Sequence, residues 1–142
     1  MKVAIYDFFN TDTECPSCNQ AGAKMALSEI GKCKDKVKEL YGEGHVFREY
    51  IDRKDVAVTS SYLSGATVRP AIECLLEDID KGEIDLVVMT YMGVLAADFY
   101  FILAFYLFLR QHDVRIITVR EGERINQMLE QAIEEFRRIQ NL

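Results

Sequence analysis

Two cysteines spaced as C-x-x-C are the first residues whose types and spacing could do chemistry. Cys15 and Cys18 follow a strand-like segment and a short polar loop, and they precede a segment of helical periodicity. A C-x-x-C at a helix start can lower the pKa of a thiol and so support redox chemistry or metal binding. Cys33 and Cys74 lack a paired spacing that would complete a four-ligand zinc site. The competing interpretation is two reduced thiols in a loop, and we expect neither a metal nor a cofactor.

A second place for chemistry is the loop formed by residues 90–97. It follows residues 86–89, whose short, continuously apolar run is typical of a strand covered on both faces. Residues 114–119 are rich in β-branched side chains and predict a second central strand. Ligands of parallel sheets collect beyond the carboxyl ends of the strands. The loop at residues 90–97 is therefore where function should be sought.

Strand-like and helical segments alternate along the chain and predict its fold class. Apolar residues recur at helical spacing after Pro70, which suits a first helical turn, and Gly82 is placed to end that helix. A second amphipathic helix is predicted at about residues 122–141. The alternation predicts one α/β domain over residues 1–142, with three layers and a mainly parallel sheet. The strands expected in that sheet are residues 2–9, 45–51, 86–90 and 114–119.

The segment from Phe99 to Leu109 is apolar or aromatic at every position. It is shorter than the roughly 20 residues that a membrane span needs. A helix of this composition has no polar face for water, so it needs cover on all sides, from its own chain or from another subunit.

Charge and length limit the classes of function. A net charge of −6 and a pI near 5.0 argue against a domain that binds nucleic acid on its own, because phosphate binding normally needs a concentrated Lys/Arg surface. The sequence shows no secretory signal pattern and no membrane span, so we expect a cytoplasmic protein that does not enter a membrane.

Two stretches give the chain a family resemblance. Residues 64–89, SGATVRPAIECLLEDIDKGEIDLVVM, resemble the Ser-Gly, Arg-Pro, helix, Gly and buried-strand order of serine recombinases, the resolvase and invertase family. The start IYDFFNTD, residues 5–12, is similar to the family's opening Y-x-R-V-S-T-D. The helix from Asp98 and the strand VRIITV continue the resemblance, which therefore covers nearly the whole chain. It implies the resolvase catalytic-domain fold.

The resemblance also implies a reaction, in which a Ser hydroxyl attacks a DNA phosphodiester and several Arg side chains neutralise the phosphate charge. Matching the opening motif puts Asn10 at the nucleophile and Phe8 at the first Arg, while Thr11 and Asp12 keep the family pattern. An Asn amide is not a useful nucleophile.

The second catalytic motif of the family, D-R-L-S-R, matches residues that cannot replace it. Only Arg69 of the usual Arg set is retained, and it is the candidate phosphate contact, although an ordinary surface charge is the competing interpretation. The positions of D-R-L-S-R are occupied by Met92, Gly93, Val94, Leu95 and Ala96.

We therefore expect a degenerate recombinase domain that has lost strand cleavage and acts as a binding or regulatory protein in DNA recombination. One alternative is an active recombinase fragment that uses a displaced hydroxyl, with Thr11, Thr13 or Ser17 as the nucleophile. Another is a small thiol oxidoreductase or metal binder that uses Cys15 and Cys18.

The partners follow from the resemblance, because recombinases of this family pair through the corresponding terminal helix. We expect a homo-oligomer, a dimer or higher, with another recombinase subunit and DNA as further partners. No DNA-binding module is recognised after the terminal helix. The expected interface residues are Leu129, Ile133 and Phe136.

Overall fold

The computed structural model describes residues 1–9, 16–53, 58–59, 67–95 and 98–141. The main strands are β1 (Lys2–Phe9), β2 (Val46–Arg53), β5 (Leu86–Met89) and β6 (Arg115–Thr118). The helices are α1 (Pro16–Tyr41), α2 (Pro70–Asp80), α3 (Phe99–Gln111) and α4 (Arg124–Gln140). Two short strands, β3 (Val58–Thr59) and β4 (Thr67–Val68), pair antiparallel before α2.

The four main strands form one parallel sheet in the order β2-β1-β5-β6. All four strands expected in a common sheet are therefore found there. Strand β2 begins one residue later than predicted, at Val46, and continues to Arg53. All four residues of β5 are buried, because helices cover both faces of the sheet.

Helices on both faces give the predicted three-layer α/β architecture. Helix α1 covers one face, and its buried side chains are Ile30, Cys33 and Val37. On the opposite face, α2, α3 and α4 pack together over a larger core. The alternation along β1 explains the division, since Val3 and Ile5 point to the α1 side and Ala4 and Tyr6 point to the other.

Helix α2 agrees with its sequence signals. Pro70 is its first residue, where a missing backbone N–H costs nothing, and Gly82 follows its end with a φ of +75°. Ile72, Leu75 and Ile79 form its buried stripe, as their spacing predicts.

Helix α3 is only partly covered within the single chain. Ile102, Phe105 and Leu109 are buried with their neighbours on the same face, whereas Tyr100 is 66% exposed and Phe101 is 40% exposed. The composition of α3 calls for cover on all sides. The described part of the chain covers only one side of this helix. In that part, no helix is both long and apolar enough to cross a membrane.

Candidate active site

Asp52 is the acceptor at the centre of a polar network at the carboxyl end of the sheet. It lies near the end of β2, opposite Phe8 of β1, and is 3% exposed. Its carboxylate accepts the backbone N–H groups of Ala71 at 2.8 Å and Ile72 at 3.2 Å. These N–H groups belong to the first turn of α2 and have no partner within the helix. Because the capping residue, Arg69, provides no side-chain cap, Asp52 caps α2 from a distant strand.

Tyr6 joins the network from β1. Its hydroxyl donates to Oδ2 of Asp52 at 3.0 Å and accepts from Nη1 of Arg69 at 3.2 Å. Burial, and then the Asp52 carboxylate, raise the pKa of Tyr6, although the Arg69 charge acts in the opposite direction. Tyr6 therefore keeps its proton at physiological pH and remains a hydrogen-bond donor.

Arg69 links this network to the loop after β5. Its Nη1 also donates to the carbonyl oxygen of Val94 at 2.8 Å and to that of Leu95. Its guanidinium carbon lies 4.1 Å from the centroid of the Phe8 ring. Arg69 is thus directed inward, where it holds the start of α2 against β1 and against residues 94–95.

The loop after β5 is closed by a short 3-10 turn, Met92–Val94. Val94 and Leu95 are buried, whereas Tyr91 is 40% exposed. The Tyr91 ring lies over Gly93, and a Cβ added to that glycine would be 2.6 Å from Cε2 of Tyr91. A side chain at position 93 therefore has room only if the Tyr91 ring moves.

Several expected site residues lie outside the described residues, namely Asn10, Thr11, Asp12, Cys15 and Ala96. Of Cys18, only its place in α1 is described. The roles expected for these residues stay predictions. In the described ranges, no group of three or more His, Cys, Asp or Glu side chains could hold a metal ion.

Tyr6 and Asp52 are site residues that the residue patterns of the sequence did not indicate. Tyr6 lies in the matched opening motif, and Asp52 directly follows the predicted strand at residues 45–51. The available signal was an acidic residue at the carboxyl end of a strand that neighbours β1. The contact also needed the pairing of β1 with β2, which a single sequence does not give.

Asp7 presents a contrasting site on the opposite face of β1, beneath α1. It is 2% exposed, and neither of its carboxylate oxygens forms a hydrogen bond of normal geometry with a described residue. Burial, and then the nearby carboxyl of Glu29, raise the pKa of Asp7 to about 8. A second negative charge nearby makes the ionised form of Asp7 less favourable. Burial, Asp7 and Glu29 likewise raise the pKa of Cys33 to about 12, so this thiol is unreactive.

Solved structures of serine recombinases are similar to this fold. The N-terminal catalytic domain of TP901-1 integrase has 19% identity and a TM-score of 0.63, with 100% of both chains covered. A resolvase-family site-specific recombinase from Streptococcus pneumoniae has 18% identity and a TM-score of 0.64, with 99% of this chain and 93% of the other covered.

A more distant match is the C-terminal catalytic domain of ISC1926 TnpA, an IS607-like serine recombinase. It has 13% identity and a TM-score of 0.55, with 84% of this chain and 70% of the other covered. At these identities, the structural matches establish the fold. A search of curated proteins gives no significant match.

The family itself is shown by sequence. The family model described as "Resolvase, N terminal domain" matches residues 24–141, which is most of the chain. The matched region includes β2, Arg69, the loop after β5 and α4. The chain therefore belongs to the resolvase N-terminal domain family, the serine recombinase catalytic domains.

Proposed function

We propose that this domain does not cleave DNA and acts as a binding or regulatory protein in DNA recombination. The observation that carries the proposal is the inward placement of Arg69, whose Nη1 donates to Tyr6 and to two loop carbonyl oxygens. An Arg that neutralises a transferring phosphate must direct its N–H groups toward that phosphate. The Nη1 donors of Arg69 are instead used within its own domain.

The residues around Arg69 support the same conclusion. Phe8, at the position of the family's first Arg, places an aromatic ring against the Arg69 guanidinium. Gly93, at another Arg position of the motif, is covered by the Tyr91 ring. Each missing charge-assisted hydrogen bond removes roughly 1.5 to 3 kcal/mol of phosphate stabilisation. Because the sequence also places Asn10 at the nucleophile position, both the covalent step and its electrostatic support are lacking.

Covalent trapping on a nicked suicide DNA substrate tests the proposal. We expect no protein–DNA adduct on denaturing gels, either with the unchanged protein or with the Asn10→Ser variant, because a restored hydroxyl still lacks the charge-neutralising Arg side chains. An active serine recombinase on its own suicide substrate is the positive control. An adduct formed by the unchanged protein on DNA of varied sequence would overturn the proposal.

Covalent trapping also tests the displaced-hydroxyl alternative, and a thiol titration tests the Cys15 alternative. An adduct that persists in Asn10→Ala and disappears in Thr11→Val, Thr13→Val or Ser17→Ala would identify a displaced hydroxyl. A strongly depressed thiol pKa at Cys15 would support thiol chemistry. The described residues offer no observation that favours either alternative.

We also propose that two copies of the chain pair along α4. Leu129 and Ile133 are each 5% exposed in the single chain, so they are core residues, and glutamate there would disrupt folding before it tested pairing. This revises the interface expected from the sequence. On the outer side of α4, Ile139 is 66% exposed and Met128 is 40% exposed, and both are free for a partner chain.

The N-terminal turn of α3 extends this outer surface. The Tyr100 ring contacts that of Phe136 edge to face, with ring centroids 5.6 Å apart, and Phe101 next to it is also exposed. A second copy would bury these apolar groups, as the composition of α3 requires.

Light scattering at tens of micromolar tests the pairing. We expect a dimer for the unchanged protein and a monomer for the Met128→Glu/Ile139→Glu variant. The matched control is Leu27→Glu on α1, at a leucine that is 69% exposed, and it should stay dimeric. A monomeric unchanged protein would contradict the proposal.

A further inference from the structure

Arg120 is an exposed guanidinium at the carboxyl end of β6, beside the loop that carries Tyr91. The Arg120 backbone N–H donates to the carbonyl oxygen of Thr90 at 3.2 Å, and the preceding N–H, that of Val119, donates to Met89 at 3.0 Å. The guanidinium carbon lies 4.8 Å from the centroid of the Tyr91 ring. Backbone pairing and the aromatic ring together fix the position of this charge.

Within the described residues, no carboxylate neutralises Arg120. The adjacent acid, Glu121, is turned to its own strand, where its carboxylate accepts the Thr118 hydroxyl. Arg110 shows the contrast, since its Nη1 lies 2.8 Å from Oε1 of Glu130. Arg120 therefore presents an uncompensated positive charge in a chain whose net charge is −6.

The contact between its guanidinium and the Tyr91 ring suits Arg120 to anion binding. A guanidinium held against an aromatic ring keeps its N–H groups free to form paired hydrogen bonds to a phosphate. The ring lies over Gly93, which has no side chain to displace it. The site lies beyond the carboxyl ends of β5 and β6, the edge at which parallel sheets bind ligands.

We propose that Arg120, held by Tyr91, binds a backbone phosphate of DNA at this edge of the sheet. Arg69 and Arg120 then have separate roles, since the first donates inward to the protein and the second outward to the ligand. The inference rests on the proposed function, because a recombination protein that does not cleave DNA still needs a contact with its backbone.

Fluorescence anisotropy with a labelled duplex of about 20 base pairs at low salt tests the assignment. We expect Arg120→Ala to weaken binding about tenfold and to reduce the slope of log K against log salt by about 1. Tyr91→Leu keeps the charge but removes the ring and should weaken binding about threefold. The matched control is Arg124→Ala, which removes an exposed positive charge at the start of α4 and should change affinity less than about twofold.

A second readout follows the residue itself. In an NMR titration with unlabelled duplex, the Nε–H signal of Arg120 should shift, while that of Arg124 stays unchanged. Three results would each overturn the assignment: no binding at low salt, an equal loss in Arg120→Ala and Arg124→Ala, or an unmoved Arg120 signal at saturation. Covalent adducts are detected separately on denaturing gels, so cleavage would refute the proposed function without changing this result.

Discussion

Tyr6 and Asp7 are adjacent in β1, yet their polar groups lie on opposite faces of the strand and differ in their hydrogen-bond partners. On the α2 side, the Tyr6 hydroxyl, the Asp52 carboxylate and the Arg69 guanidinium satisfy one another and the first turn of α2. On the α1 side, Asp7 is equally buried, and its carboxylate forms no hydrogen bond of normal geometry with a described residue. Burial of a polar group is therefore stabilising or costly according to the partners supplied by the covering elements.

Asp52→Ala should have the largest effect, because it leaves two N–H groups of α2 and the Tyr6 hydroxyl without their acceptor. We expect a loss of about 4 kcal/mol in the free energy of unfolding at pH 7, measured by urea denaturation. The control is Glu73→Ala, at an exposed acid in the same helix turn, which should cost less than about 0.5 kcal/mol. Equal losses in the two variants would mean that Asp52 contributes no more to stability than an exposed surface acid.

Asp7→Asn should change the free energy of unfolding in the opposite direction, by raising it. Since the pKa of Asp7 is raised to about 8 in the folded chain, the unprotonated unfolded state gains an advantage as the pH rises from 4 to 8. The Asp7 contribution to stability is thus fully present below about pH 4 and is lost progressively as the pH rises to about 8. The variant removes this dependence and should be more stable than the unchanged protein at pH 8, with little difference near pH 4. Unfolding curves that keep the same pH dependence in both proteins would contradict the assignment.

Arg69→Met tests whether the hydrogen bonds from Arg69 to the loop after β5 stabilise the domain. The variant keeps an apolar stem against Phe8 but loses the donors to the Val94 and Leu95 carbonyl oxygens. We expect a loss of about 2 kcal/mol in unfolding free energy and faster amide exchange in residues 91–95. A variant as stable and as protected as the unchanged protein would show that Arg69 is a surface charge without a structural role.

Glu29→Gln should have the smallest effect of the four. Burial is the largest cause of the raised pKa of Asp7, and Glu29 is the next. Removing the neighbouring charge should lower the pKa of Asp7, but burial should keep it above its ordinary value. An NMR titration of the Asp7 carboxyl carbon measures this pKa. A return to the ordinary value would make Glu29, and not burial, the main cause.

The sequence predicted the elements that follow local rules. Pro70 and Gly82 bounded α2 because proline and glycine have intrinsic backbone preferences, and the buried strand at residues 86–89 was recognised from its short apolar run. The stripe of α4 was predicted from periodicity alone. Periodicity cannot state whether a stripe faces its own chain or another, so Leu129 and Ile133 were expected at an interface and were found in the core.

The amino-acid sequence by itself determined the α/β alternation and the family resemblance, because each can be read from neighbouring or matched positions. The tertiary structure decided which polar groups meet. Tyr6, Asp52 and Arg69 come together only because β1 pairs with β2 so that Phe8 lies opposite Asp52, and because α2 begins beside that pair. Arg120 meets Tyr91 only because β5 and β6 end at the same edge of the sheet. Contacts between residues distant in the chain depend on strand order and register, which arise from the packing of the whole domain.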